Sequence, residues 1–194
     1  MPAATDAPKK PRPSPERYML RARTVLLFGA IEPKLTREVI RQLVLLDQMS
    51  RTKPIRLFIN SPGGLADDGF AIFDMARFVT APIITVCTGL AASAATIVMV
   101  AAPRERRLIM PHARVMLHQP SVGVRGTASD IAIGAKEILR VRRKANELFQ
   151  FETGQPLEKI ERDMHRDFWM TAEEAVAYGL AGRVVRSESE VPAV

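Results

Sequence analysis

Apolar positions along the chain follow two rhythms that alternate. Short, largely β-branched or aliphatic runs read as buried strands: Thr24-Val25-Leu26-Leu27-Phe28, Ile55 to Asn60, and Ile83-Ile84-Thr85-Val86-Cys87-Thr88. Between them the apolar residues take helical spacing. Val39, Ile40, Leu43, Leu46 and Met49 mark a helix over Thr36 to Met49, and Phe70, Phe73, Met75, Ala76 and Val79 mark the next. Arg107 to Met110 and Arg114 to Leu117 predict two more short strands around Pro111. A long helix should open at Thr127-Ala128-Ser129-Asp130, which has the form of a capping box. Ile131, Ala135, Ile138, Val141, Ala145 and Leu148 fall on one of its faces. Thr153-Gly154 stops it and Pro156 can start another. Thr171 to Tyr178 reads as a last helix and Arg183-Val184-Val185 as a last strand.

Strands alternating with helices predict an α/β fold with a largely parallel sheet. In such sheets the loops after the carboxyl ends of the strands line a crevice. Three of these loops carry chemistry: Gly63-Gly64, Ser93 and His118-Gln119-Pro120. Ser93 lies in the small, apolar stretch Gly89 to Ala102, whose alanines favour helix, so it is expected at a strand-to-helix junction. There its hydroxyl either caps the helix or serves as a nucleophile beside unpaired backbone N–H groups. A serine nucleophile needs a base, and only His112, His118 and His165 are present. His118 directly follows a strand, whereas His112 and His165 are expected to face solvent. A carboxylate should orient the base, and periodicity leaves Asp130, Asp163 and Asp167 open. Gly63-Gly64 can bring a bare N–H close to a ligand, and the Ala94 N–H is the natural second donor.

Composition narrows the setting. A chain of 194 residues suits one domain. Its net charge is +7, with clusters at Lys9, Lys10 and Arg12 and at Arg140, Arg142, Arg143 and Lys144. No aromatic residues interleave with these, so solvated faces are expected rather than a nucleic-acid surface. A lone Cys87 in an apolar strand excludes an internal disulfide and fits a reducing compartment. With no apolar leader and no run long enough to cross a membrane, a cytoplasmic protein is expected. Residues 1–16 carry five prolines among small and charged residues and are expected to form a flexible tail. A single domain is expected over 17–186, and a loose tail over 187–194.

Several motifs together resemble the proteolytic subunit of the Clp protease, a self-compartmentalising serine peptidase. They are Phe58-Ile59-Asn60-Ser61-Pro62-Gly63-Gly64, Gly89 to Ser93, Pro111 to Pro120, Ala128-Ser129-Asp130-Ile131 and Lys136 to Arg140. Thr153 to Asp163, Ala172 to Val176 and Tyr178-Gly179-Leu180 extend the similarity, which runs from about Thr24 to Val185. The resemblance implies a crotonase-like fold of repeated β-β-α units with a long handle helix over about Thr127–Thr153. It implies a catalytic triad of Ser93, His118 and Asp167, with oxyanion donors on Gly64 and Ala94. It also implies an extended-substrate strand over Ser121 to Gly126, with Val122, Gly123, Val124 and Arg125 binding substrate. No cofactor and no metal are implied. The implied partners are unfolded polypeptide substrates, further copies in heptameric rings stacked as a tetradecamer, and an ATP-driven AAA+ unfoldase.

The chain departs from the family pattern at several positions. Leu90 replaces a usual glutamine, and Ala94-Ala95-Thr96 replaces a typical Met-Gly-Ala. Asp67 and Asp68 stand where uncharged residues are usual, and His165 where an acid is usual. Arg56 replaces an aromatic in the pocket that receives the unfoldase, and the proline-rich N-terminus lacks the family's axial-loop residues. The alternatives are a non-catalytic or weakly active regulatory subunit in a mixed ring and, ranked last, a crotonase-type enzyme acting on acyl-thioesters.

Overall fold

The computed structural model describes residues 14–192 except 122 and 124. The first helix, α1 (Pro15–Arg21), has Pro15 in its first turn, where a missing N–H costs nothing. Helix therefore already includes Pro15 and Glu16, which were expected in the tail, and residues 1–13 lie outside the description.

Strands β1 (Thr24–Phe28), β2 (Ile55–Ser61), β3 (Ile83–Ala92), β4 (Arg107–Ile109) and β7 (Arg183–Val184) lie side by side, all parallel. Helices α2 (Pro33–Met49) and α3 (Ala66–Phe78) connect the first three strands. The parallel α/β expectation holds, and the boundaries of β1 and of β5 (Arg114–Leu117) are those read from the sequence.

The main difference lies in β3. The alanine-rich segment after Gly89 continues as strand through Ala92, because Leu90, Ala91 and Ala92 pair with Arg114, Val115 and Met116 of β5. Sheet pairing overrides the helical preference of alanine. The first half of β3 pairs instead with β4, Thr85 with Arg107 through Cys87 with Ile109. One chain segment thus acts as two consecutive strands, which is the doubled β-β-α unit. The turn between the halves is Gly89, at φ +101°, where a Cβ would stand 2.9 Å from Asn60 Oδ1. The helix that follows, α4 (Ala94–Met99), is only six residues long and wholly buried.

Beyond β5 runs α5 (Ala128–Thr153), 26 residues long. Thr127 and Asp130 form the expected capping box, and Gly154 ends the helix at φ +73°. Only Ala145, Asn146, Phe149 and Thr153 of α5 are buried, and most of its first half is exposed. Its base is fixed by charge. The guanidinium of Arg107, 1% exposed, donates to the carbonyls of Ala102 and Glu152 and to the Glu152 carboxylate. Arg77 reaches the other Glu152 oxygen at 2.7 Å.

Helix α6 (Leu157–Asp163), strand β6 (Phe168–Met170) and helix α7 (Ala172–Tyr178) complete the fold. The residues after Val185 are not loose throughout. Glu188–Glu190 form a 3-10 turn, and Val191 packs with Phe58 on a small cluster of Ile84, Val86, Leu108 and Val185. Cys87 is fully buried as expected, and burial pushes its thiol up to about 12. Among the described residues no helix is long and apolar enough to cross a membrane.

Candidate active site

The site is assembled by strand register. In the parallel pair of β3 and β5, Ala92 lies opposite Met116, which puts Ser93 and His118 just beyond the paired ends. In the antiparallel pair of β5 and β6, Leu117 lies opposite Phe168, so the next residues outward are His118 and Asp167. Two ladders therefore bring three residues, far apart in sequence, to one edge. His118 Nε2 stands 2.7 Å from Ser93 Oγ, and His118 Nδ1 stands 3.2 Å from Asp167 Oδ1. An ionised carboxylate only accepts, so the Nδ1–H donates to Asp167 and leaves Nε2 to accept from the serine hydroxyl.

The other carboxylates left open by the sequence are occupied elsewhere. Asp130 accepts from the Thr127 backbone and side chain in the capping box. Asp163 accepts from Lys159 and from the Tyr178 hydroxyl, at 2.5 and 2.9 Å. His112 and His165 are exposed, as expected.

Ser93 sits at the N-cap position of α4 but its hydroxyl makes no cap bond. Its backbone is at φ +54°, ψ −126°, a region L-residues rarely occupy. Neighbours hold it there. Its N–H donates to the Met116 carbonyl at 2.9 Å, and its carbonyl accepts from the N–H and hydroxyl of Thr96 at 2.9 and 2.6 Å. Strain of this kind persists only where the surroundings over-determine it, and it aims the hydroxyl outward. The sequence pattern assigns neither Thr96 nor the Met116 carbonyl this role. The Ser-x-x-Thr spacing was a usable local signal for the first, whereas the second depends wholly on pairing.

The glycine turn is packed just as tightly. A Cβ on Gly63, at φ +91°, would lie 2.7 Å from the Ser93 Cβ and 2.6 Å from the Ala92 carbonyl oxygen. On Gly64, at φ +154°, it would meet the Ile31 carbonyl oxygen at 2.1 Å. Ile31 and Gly64 form a parallel bridge through the Gly63 carbonyl and the Leu65 N–H. That bridge leaves the Gly64 N–H without a backbone acceptor among the described residues, as is the Ala94 N–H at the start of α4. Both residues line the same cavity as Ser93 and His118, of about 550 Å³. Gln119 secures the loop after His118, donating through its backbone N–H to Met164 and through its side chain to the His165 carbonyl.

Of the expected substrate strand, Val122 and Val124 lie outside the described residues. Gly123 and Arg125 are exposed and in no strand, and nothing lies within 4 Å of a Cβ placed on Gly123. Among the described residues no group of three or more His, Cys, Asp or Glu side chains is placed to hold a metal.

A parallel sheet of doubled strands, with serine, histidine and aspartate aligned at its edge, has the form of a serine hydrolase. Comparison with known proteins makes the class specific. The family model described as Clp protease matches residues 14–188. ATP-dependent Clp protease proteolytic subunit 2 of Treponema denticola is 45% identical over 173 residues, covering 89% of this chain and 86% of that protein. Subunit 3 of Rhizobium meliloti is 46% identical over 176 residues, covering 91% and 90%. Among solved structures, a ClpP1 mutant from Listeria monocytogenes superposes with a TM-score of 0.85 at 38% identity, covering 91% of this chain and 98% of that one. The chain belongs to the Clp protease family, whose proteolytic subunits are serine endopeptidases.

Proposed function

We propose that the chain is an active endopeptidase subunit that cuts unfolded polypeptides by acyl transfer. The observation that carries this is the aligned contact of Ser93, His118 and Asp167 beside two unengaged amides. Ser93 Oγ attacks the peptide carbonyl while His118 Nε2 takes its proton. Asp167 holds the imidazole and stabilises its cation. The N–H groups of Gly64 and Ala94 bind the oxyanion, and preorganised donors of this kind are worth about 10²–10³-fold each. His118 then protonates the leaving amine, and water hydrolyses the acyl-enzyme by the reverse proton path.

The exposed first half of α5 supports assembly. Ile131, Ile133 and Leu139 point away from the body, and a second ring would cover them. We read the particle as heptameric rings stacked through α5, working in the cytoplasm on chains fed by an ATP-driven partner. The test is labelling of the assembled protein by a fluorophosphonate, read alongside cleavage of a fluorogenic peptide. Ser93→Ala should abolish both, and Asp167→Asn should lower cleavage about 10⁴-fold. Absence of labelling in the folded wild type would favour a regulatory subunit of a mixed ring instead.

A further inference from the structure

The cavity beside Ser93 has an unexpected charge. The chain as a whole carries +7, yet among the described residues no lysine or arginine lines this cavity, while Asp67, Asp68 and Glu137 do. Its walls are otherwise largely apolar, with Phe70, Ile97, Ile138, Val141, Phe149 and Met164 among them. Glu137 is already paired, accepting from Arg140 at 2.7 Å. Among the described residues no lysine or arginine lies in ion-pair contact with Asp67 or Asp68. Lys144 stacks on Phe70 at 3.9 Å from the ring centre, but it is exposed and not part of the lining.

The position of these carboxylates is fixed by the fold. They occupy the first turn of α3, directly after the Gly63-Gly64 turn that borders the nucleophile. Carboxylates there also favour the helix N-terminus, which is a sufficient structural use for one of them. It does not account for their lining the same cavity as Ser93, His118 and Gly64.

We infer that Asp67 and Asp68 set side-chain specificity at the cavity beside Ser93, selecting a long side chain with an apolar stem and a cationic end and rejecting an acidic one. This deepens the peptidase reading and rests on it. The residue selected is the one whose carbonyl Ser93 attacks. Lysine and arginine bury their methylene stems against apolar surface and keep the charge at the polar end, which is the pattern these walls offer. Aspartate or glutamate would meet like charge at short range from Asp67 and Asp68, a repulsive element that disfavours acidic residues there.

The test uses the assembled protein and three peptides differing only at that residue: lysine, leucine or glutamate. The wild type should cleave the lysine peptide at least about tenfold better than the glutamate one, a tenfold ratio being about 1.4 kcal/mol. In Asp67→Asn/Asp68→Asn that ratio should fall toward one, with the leucine peptide as the reference in each variant. Asp74→Asn removes an exposed carboxylate from the same helix that does not line the cavity, and it should leave the ratio as it was. Equal cleavage of lysine and glutamate peptides by the wild type, or equal effects of the two variants, would overturn the inference. Binding separates this from a failure of the peptidase reading. In Ser93→Ala, product peptides ending in lysine should bind more tightly than those ending in glutamate. Retention of that order without any cleavage by the wild type would sink the activity alone. Loss of the order would sink the specificity.

Discussion

At the residue scale, the chemistry depends on backbone positions as much as on side chains. Ser93 is held at positive φ by three hydrogen bonds, and Gly63 and Gly64 have no room for a methyl group. Titratable residues away from the site serve the fold. Burial alone would raise the Asp163 carboxyl, but hydrogen bonds from Lys159 and Tyr178 together outweigh it and hold the group below the usual carboxylate range. Burial, and then the same contact, push the Tyr178 hydroxyl upward. A carboxylate with a lowered folded pKa stabilises the native state above its unfolded pKa, and that contribution is lost as pH falls through the folded value. Asp163→Asn should therefore cost about 1–3 kcal/mol near neutrality. In denaturant titrations at successive pH values the gap to wild type should narrow in acid. A gap independent of pH would show that the carboxylate's charge is not what matters.

At the scale of elements, the base of α5 is anchored by one carboxylate between two guanidiniums. Arg107 is fully buried, so removing its counter-ion leaves an uncompensated charge in the interior. Breaking such a pair from one side costs about 3–5 kcal/mol. Glu152→Gln should lower the unfolding midpoint accordingly in a chemical denaturation curve, whereas Glu147→Gln, exposed on the same helix, should not. Elements were legible in the sequence where periodicity was long or a cap was explicit: β1, α2, β5, α5 and α7 all lie within a few residues of their expected bounds. Two were not. Helix α1 was hidden by its prolines, because composition cannot tell a mobile tail from a first turn that tolerates proline. Strand β6 spans only Phe168-Trp169-Met170, with no alternation to read, and owes its existence to β5. Asp167 stands immediately before β6, which is why residue patterns left three aspartates open and only family resemblance singled one out.

At the scale of the whole molecule, a single chain leaves much of its function-bearing surface uncovered. The Asp167 side chain is 61% exposed, so water competes for the contact with His118. Phe78 and Phe151 are more exposed still, at 83% and 80%. On the outer half of α5, Ile133 and Leu139 are open apolar residues whose replacement by aspartate should change monomer stability by no more than about 0.5 kcal/mol. If rings stack through this helix, the double variant Ile133→Asp/Leu139→Asp should sediment as a single ring. An unchanged boundary in velocity sedimentation would place the contact elsewhere.

The hydrogen bond from the Ser93 N–H to the Met116 carbonyl ties two catalytic candidates to one strand. His118 rides at the end of β5, and Ser93 hangs from β5 two residues earlier. A slide of β5 that carried His118 away would also pull on the Met116 carbonyl, one of the three main-chain contacts of Ser93, the other two coming from Thr96. A displacement of β5 would therefore act on both residues together, so that losing the base and losing the poised hydroxyl become one event.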